Sequence, residues 1–109
     1  MIARRWHGRV PAAKADEYVR LMREVALPDY RSTEGNRGAW CLHRAEAGIV
    51  HVEMFTLWKD EAAIRRFAGD DIAAAKYYDF DRDFLLELEP EVVHFDAIGA
   101  SRTSPFSPD

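Results

Sequence analysis

The sequence predicts an α+β fold in which two helices cover one face of a four-stranded antiparallel sheet. Three observations predict it. Segments of strand and helix character follow one another as β-α-β-β-α-β. The stretch IVHVEMFTLW is dense in β-branched and aromatic residues, as strands are. In PAAKADEYVRLMREVALPDY the apolar residues recur every three or four positions, which puts them on one side of a helix.

The first segment, MIARRWHGRV, has strand-forming residues and no helical period. Its alternate positions, Ile2, Arg4, Trp6, Gly8 against Ala3, Arg5, His7, Arg9, leave both faces mixed, so the residues alone do not set its phase. The first helix carries Ala15, Tyr18, Val19, Met22, Val25 and Ala26 as one apolar stripe. Pro11 suits its first turn, and Pro28 is expected to end it near Ala26 or Leu27. RSTEGNRG then reads as a loop. GAWCLHRAEAGIVHVEMFTLW reads as two strands about a turn at Ala45 to Gly48.

Asp60 is a good N-cap, with Glu61 in the first turn behind it. Ala63, Ile64, Phe67 and Ala68 form the buried stripe of the second helix, and Gly69 is placed to end it in a left-handed conformation. Asp70 or Asp71 would cap a further helical segment, DIAAAKYY. Phe84, Leu85 and Leu88 read as docking residues before a last strand in EVVHFDAIG. Residues 1–98 make one domain, and 99–109 a flexible polar tail.

This element order is the split βαβ, or ferredoxin-like, arrangement, with spatial strand order 4-1-3-2. The strands carry apolar residues on both sides, Val50, Val52 and Met54 against Phe55 and Leu57. Two helices cover only one face, so a second copy packing sheet against sheet is expected to cover the other.

Composition narrows the function. The net charge of −4 argues against a nucleic-acid binder, although MIARRWHGR places Arg4, Arg5 and Arg9 together. No apolar run nears the roughly 18 residues of a membrane span, and no signal peptide is expected. A single cysteine, Cys41, fits a reducing cytoplasm and reads as a small buried hydrophobe.

The residues Trp58, Ala63, Ile64, Phe67, Ala68, Gly69, Asp71, Ala75 and, in VVHF, His94 form a pattern. With it, the chain over roughly residues 1–98 resembles the antibiotic biosynthesis monooxygenase-like family of dimeric α+β barrels. The resemblance implies a homodimer with an apolar pocket between helices and sheet. In one branch of that family, oxygenases without any cofactor oxidise small polyphenols whose anion supplies the electrons. The resemblance then implies His94 as the group that assists deprotonation, Tyr77 or Tyr78 and Arg4 (or Arg5) as holders of the developing anion, and Trp58, Phe67 and Trp6 as walls. A haem-degrading branch fits poorly. Its Trp position falls on Phe67, its axial His on Tyr77, and its strand-one Asn has no counterpart in IARRWHGRV.

Each residue also has a plain structural reading. Trp58 anchors the core, the tyrosines are packing residues whose buried hydroxyls need partners, and His94 is a satisfied strand histidine. The non-catalytic alternative is a dimer that binds a small molecule or a partner protein, marked by Trp58, Phe67 and Tyr77 filling the space themselves. His7, His43, His51 and His94 fall one on each strand, and a metal site of His94, His7, His51 and Glu53 can be drawn. No ligand spacing such as HxxxH or CxxC supports it, so no metal is expected.

Overall fold

The structure, a computed structural model, describes residues 1–99. All of the expected tail after Gly99 lies outside the described residues. Four antiparallel strands form one sheet: β1 (Ile2–Pro11), β2 (Asn36–Glu46), β3 (Ile49–Trp58) and β4 (Val93–Asp96), in the order β2-β3-β1-β4. Read from the other edge this is the 4-1-3-2 order of a ferredoxin-like arrangement, with which the architecture is compatible.

The register sets the phase that the sequence left open. Trp6 lies opposite Met54, Val10 opposite Val50, and Arg4 opposite both Thr56 and His94. Opposed residues share a face, so Arg4, Trp6, Gly8 and Val10 look towards the helices with Val50, Val52, Met54 and Trp58. Arg5, His7 and Arg9 take the other face, with Phe55, Leu57 and His51.

Helix α1 (Ala12–Leu21) buries Ala15 and Tyr18. It does not stop at Pro28. A π-helical turn over Met22–Ala26 leads into α2 (Leu27–Ser32), which carries Pro28 in its first turn. Leu27 N–H donates to the Met22 carbonyl five residues back. The missing N–H of Pro28 therefore falls at a fresh helical start, where none is needed. The four-residue spacing of Tyr18, Met22, Ala26 and Tyr30 explains the turn. Each step of four overshoots an α-turn by about 40°, and the wider π-turn takes up the surplus, so all four are buried on one side.

Between β2 and β3, Ala47 and Gly48 both have positive φ (53° and 81°), as a two-residue type I′ hairpin turn requires. Helix α3 (Glu61–Ala68) starts as expected: Asp60 accepts a hydrogen bond from Ala63 N–H at 2.9 Å. It buries Ala63, Ile64 and Phe67 and ends at Gly69, φ 94°.

The helix expected at DIAAAKYY is absent. Asp71 instead caps a tight turn, accepting from Ala73 N–H on its side chain and from Ala74 N–H on its carbonyl. The chain then runs extended against residues 90–92. Ala75 N–H donates to Pro90 O and Val92 N–H to Ala73 O, both at 2.9 Å. Alanine's helix preference is worth only tenths of a kcal/mol per residue, and this long-range pairing outweighs it. A 3₁₀ turn (Asp79–Asp83) follows. Phe84 packs on Tyr18, and Leu85 lies against Gly8, where a Cβ would come within 2.7 Å of it. Leu88, expected to dock, remains exposed.

Candidate functional site

The space between the helices and the sheet is nearly full. Trp6, Met22, Tyr30, Met54, Tyr78 and Asp81 are among the residues that line a residual void of about 10 Å³. That is room for one water at most. The π-turn contributes Met22 and Ala26 to its wall. Cys41, half-buried against the same core, has its thiol pushed up by burial, as expected of a structural cysteine.

At one end of this layer is an aromatic stack. Tyr30 lies flat on Phe67 with centroids 4.3 Å apart, and Trp58 meets Phe67 at 5.7 Å. Trp58 is fully buried and donates Nε1–H to Thr56 Oγ1 at 2.8 Å, which satisfies its polar atom. The Arg4 guanidinium stands 5.6 Å from the Phe67 ring, and the Lys76 ammonium 4.1 Å from it. Such contacts favour a cation.

Arg4 is the anomaly of this layer. Its residue is 1% exposed, yet it forms no ion pair among the described residues. One terminal nitrogen donates to Ala74 O at 2.9 Å, and Nε has no partner. Burial lowers its pKa, opposed in part by the charge interaction with Tyr30. The Tyr30 ring packs in the same layer, and burial holds its phenol pKa well above the usual value. Buried polar groups are nearly always paired, so a buried guanidinium with an orphaned Nε and no carboxylate needs an explanation.

Several other polar groups of this layer are satisfied. Tyr18 donates to Asp81 at 2.7 Å, and Asp81 also accepts from Tyr78 N–H at 2.6 Å. Burial raises the pKa of Asp81 against these two bonds. Tyr78 and Lys76 both donate to Asp29, at 2.6 and 2.9 Å. Burial pushes Asp29 up, but these bonds outweigh it and its pKa falls.

The structure thus brings Arg4, Trp58 and Phe67 together and sets Trp6 and Tyr78 around the adjoining void. It does not bring Tyr77 there. Tyr77 meets Trp6 edge-on at 6.0 Å and spends its hydroxyl on the Glu89 carbonyl. Trp6 Nε1 itself is buried without a partner; it favours the Tyr77 anion without reaching hydrogen-bond geometry, and burial raises that phenol's pKa regardless. His94 stands opposite Arg4 in the sheet but opens on a separate surface groove, with Ile2, Glu61 and Ile72. Its Nε2 is buried without a partner, and burial, then the charge of Arg4, lowers its pKa. Arg5 is on the opposite face, 5.8 Å from the Phe95 ring.

Sequence reasoning missed Tyr30, because Pro28 was read as a stop. The signal was the spacing of four from Ala26. The site drawn from His94, His7, His51 and Glu53 fails on register, since His94 looks towards the helices while His7 and His51 do not. Among the described residues no helix is long and apolar enough to cross a membrane. The chain matches no family model, and no curated protein matches it.

Proposed function

We propose that this chain binds a small aromatic phenol or acid as its anion, between the π-widened helix and the sheet, with Arg4 as the anchoring charge. One observation carries this reading: a buried guanidinium with one hydrogen bond, an orphaned Nε and no carboxylate partner among the described residues. A buried unpaired charge costs several kcal/mol, and an anionic ligand offsets that cost. An aromatic ligand also suits the wall of Tyr30, Phe67 and Trp58. Because the void is nearly closed, the ligand displaces side chains on entering. The segment 70–78 has neither helix nor strand and would have to move, breaking bonds such as Arg4 to Ala74 O and Tyr78 to Asp29.

A second reading is cofactor-independent oxygenation of a phenol seated in the His94 groove, beside Arg4, rather than in the void. A lowered pKa leaves the His94 imidazole neutral near pH 7, able to accept a phenol proton, and Arg4 next to it stabilises the resulting phenolate. The packed stack of Trp58, Tyr30 and Phe67 favours binding over turnover, so binding stands first. The resemblance to the antibiotic biosynthesis monooxygenase-like family, and the homodimer it implies, are part of this proposal. Exposed Leu42, Val93 and Phe95 on the uncovered face of the sheet support the dimer. Thermal shift with a panel of phenols, followed by oxygen uptake on any that bind, tests both readings.

A further inference from the structure

We propose that His7 and His51 form a two-imidazole site for a divalent transition-metal ion on the uncovered face of the sheet. The two residues are diagonal neighbours on the central strands: His7 pairs with Glu53, and His51 with Arg9. His7 Nε2 and His51 Nδ1 face each other at 3.1 Å. Two nitrogens bound to one tetrahedral ion at about 2.0–2.1 Å each stand about 3.3 Å apart, so the separation matches. The rings, with centroids 5.4 Å apart, aim these nitrogens at each other, and both must swing for their lone pairs to meet on an ion.

The outer nitrogen of His7 is hydrogen-bonded to a carboxylate, and that of His51 has one nearby without a hydrogen bond. Glu89 Oε2 lies 2.6 Å from His7 Nδ1, and Glu46 Oε1 lies 3.5 Å from His51 Nε2. A carboxylate on the far nitrogen keeps a proton there and turns the other lone pair to a metal. With both outer nitrogens protonated, the inner pair shares one proton only if one ring is a cation. A metal ion replaces that shared proton.

A cleft of about 300 Å³ opens over the pair, lined in part by Leu42, Arg44 and Glu53. Among the described residues no three histidine, cysteine or acidic side chains converge on one point. Water therefore completes the coordination, with Glu53 opposite His7 in the register. The neighbouring cations are engaged, Arg9 by Glu87 and Arg44 by Glu46. Imidazole pairs suit Zn²⁺, Ni²⁺ and Cu²⁺.

The test is calorimetric titration of the full chain with Zn²⁺ and Ni²⁺, and electron paramagnetic resonance of the Cu²⁺ form. Expected are one ion per chain, coupling to two imidazole nitrogens, and tighter binding at pH 7.5 than at pH 6, since protons compete. His7→Gln and His51→Gln should each weaken binding at least ten-fold. Glu89→Gln should weaken it by about ten- to a hundred-fold, and His43→Gln should leave it unchanged. Affinity in the His7→Gln/His51→Gln double variant within threefold of the parent overturns the site. So does a parent spectrum without two-nitrogen coupling, which needs no variant to fold.

Discussion

Arg4 on β1 and His94 on β4 stand directly opposite each other, and each has a buried nitrogen without a hydrogen-bond partner. Two basic groups side by side, with no acid bonded to either, define where this chain departs from ordinary core packing. Several neighbours are satisfied, Trp58 by Thr56, Tyr18 by Asp81 and Tyr78 by Asp29, while Trp6 Nε1 on β1 is orphaned as well.

The first consequence is a pH dependence. His94 is depressed below its ordinary value of 6.5, by burial first and by Arg4 second. The unfolded chain then binds more protons than the folded one between the folded value and 6.5. Stability from this group is fully present above about pH 6.5 and is lost as pH falls through the folded pKa. In urea unfolding at pH 7.5 and pH 5, the parent should lose more stability on acidification than His94→Gln does. Equal losses would show that His94 is not depressed.

Thr56→Val tests the support of the aromatic stack. It keeps the shape and removes the acceptor for Trp58 Nε1, leaving a buried donor orphaned. The expected cost is about 1–3 kcal/mol, read as a lower urea midpoint with an unchanged slope. A cost near zero would mean that the Trp58 bond contributes little.

The hairpin turn offers a change of opposite sign. Ala47 holds φ 53°, a conformation that costs a residue with a Cβ, and Gly48 follows it. Ala47→Asn gives the Asn-Gly pair that type I′ turns prefer and should stabilise by about 0.5–1 kcal/mol. A midpoint that falls would mean that the turn is not type I′.

Much of the fold was legible because its signals are local and repeated. The dense β-branched run of β3, the Asp60 cap and the Ala63, Ile64, Phe67 stripe each appear where expected. Element order alone was enough to give the spatial order of the strands. What was not legible depended on distant pairing. DIAAAKYY reads as helix until residues 90–92 offer it hydrogen bonds. Pro28 reads as a stop until the four-residue spacing through Tyr30 is seen to need a π-turn. The site was half legible for the same reason. Arg4, Trp58 and Phe67 lie together, but His94 and Tyr77 are steered elsewhere by register and by Glu89, and no single strand shows which face its histidine takes.

The most direct measurement is thermal unfolding with the phenol panel, in the parent and in Arg4→Met. Without ligand, Arg4→Met should be at least as stable as the parent, by up to about 1 kcal/mol, because it removes a buried unpaired charge. With a phenolic ligand at about a hundred times its Kd, the parent should gain roughly 2.7 kcal/mol, a shift of several degrees, and Arg4→Met should not shift. Equal shifts in both proteins, or a parent that responds to no phenol or aromatic acid, would contradict Arg4 as the anchor of a ligand site.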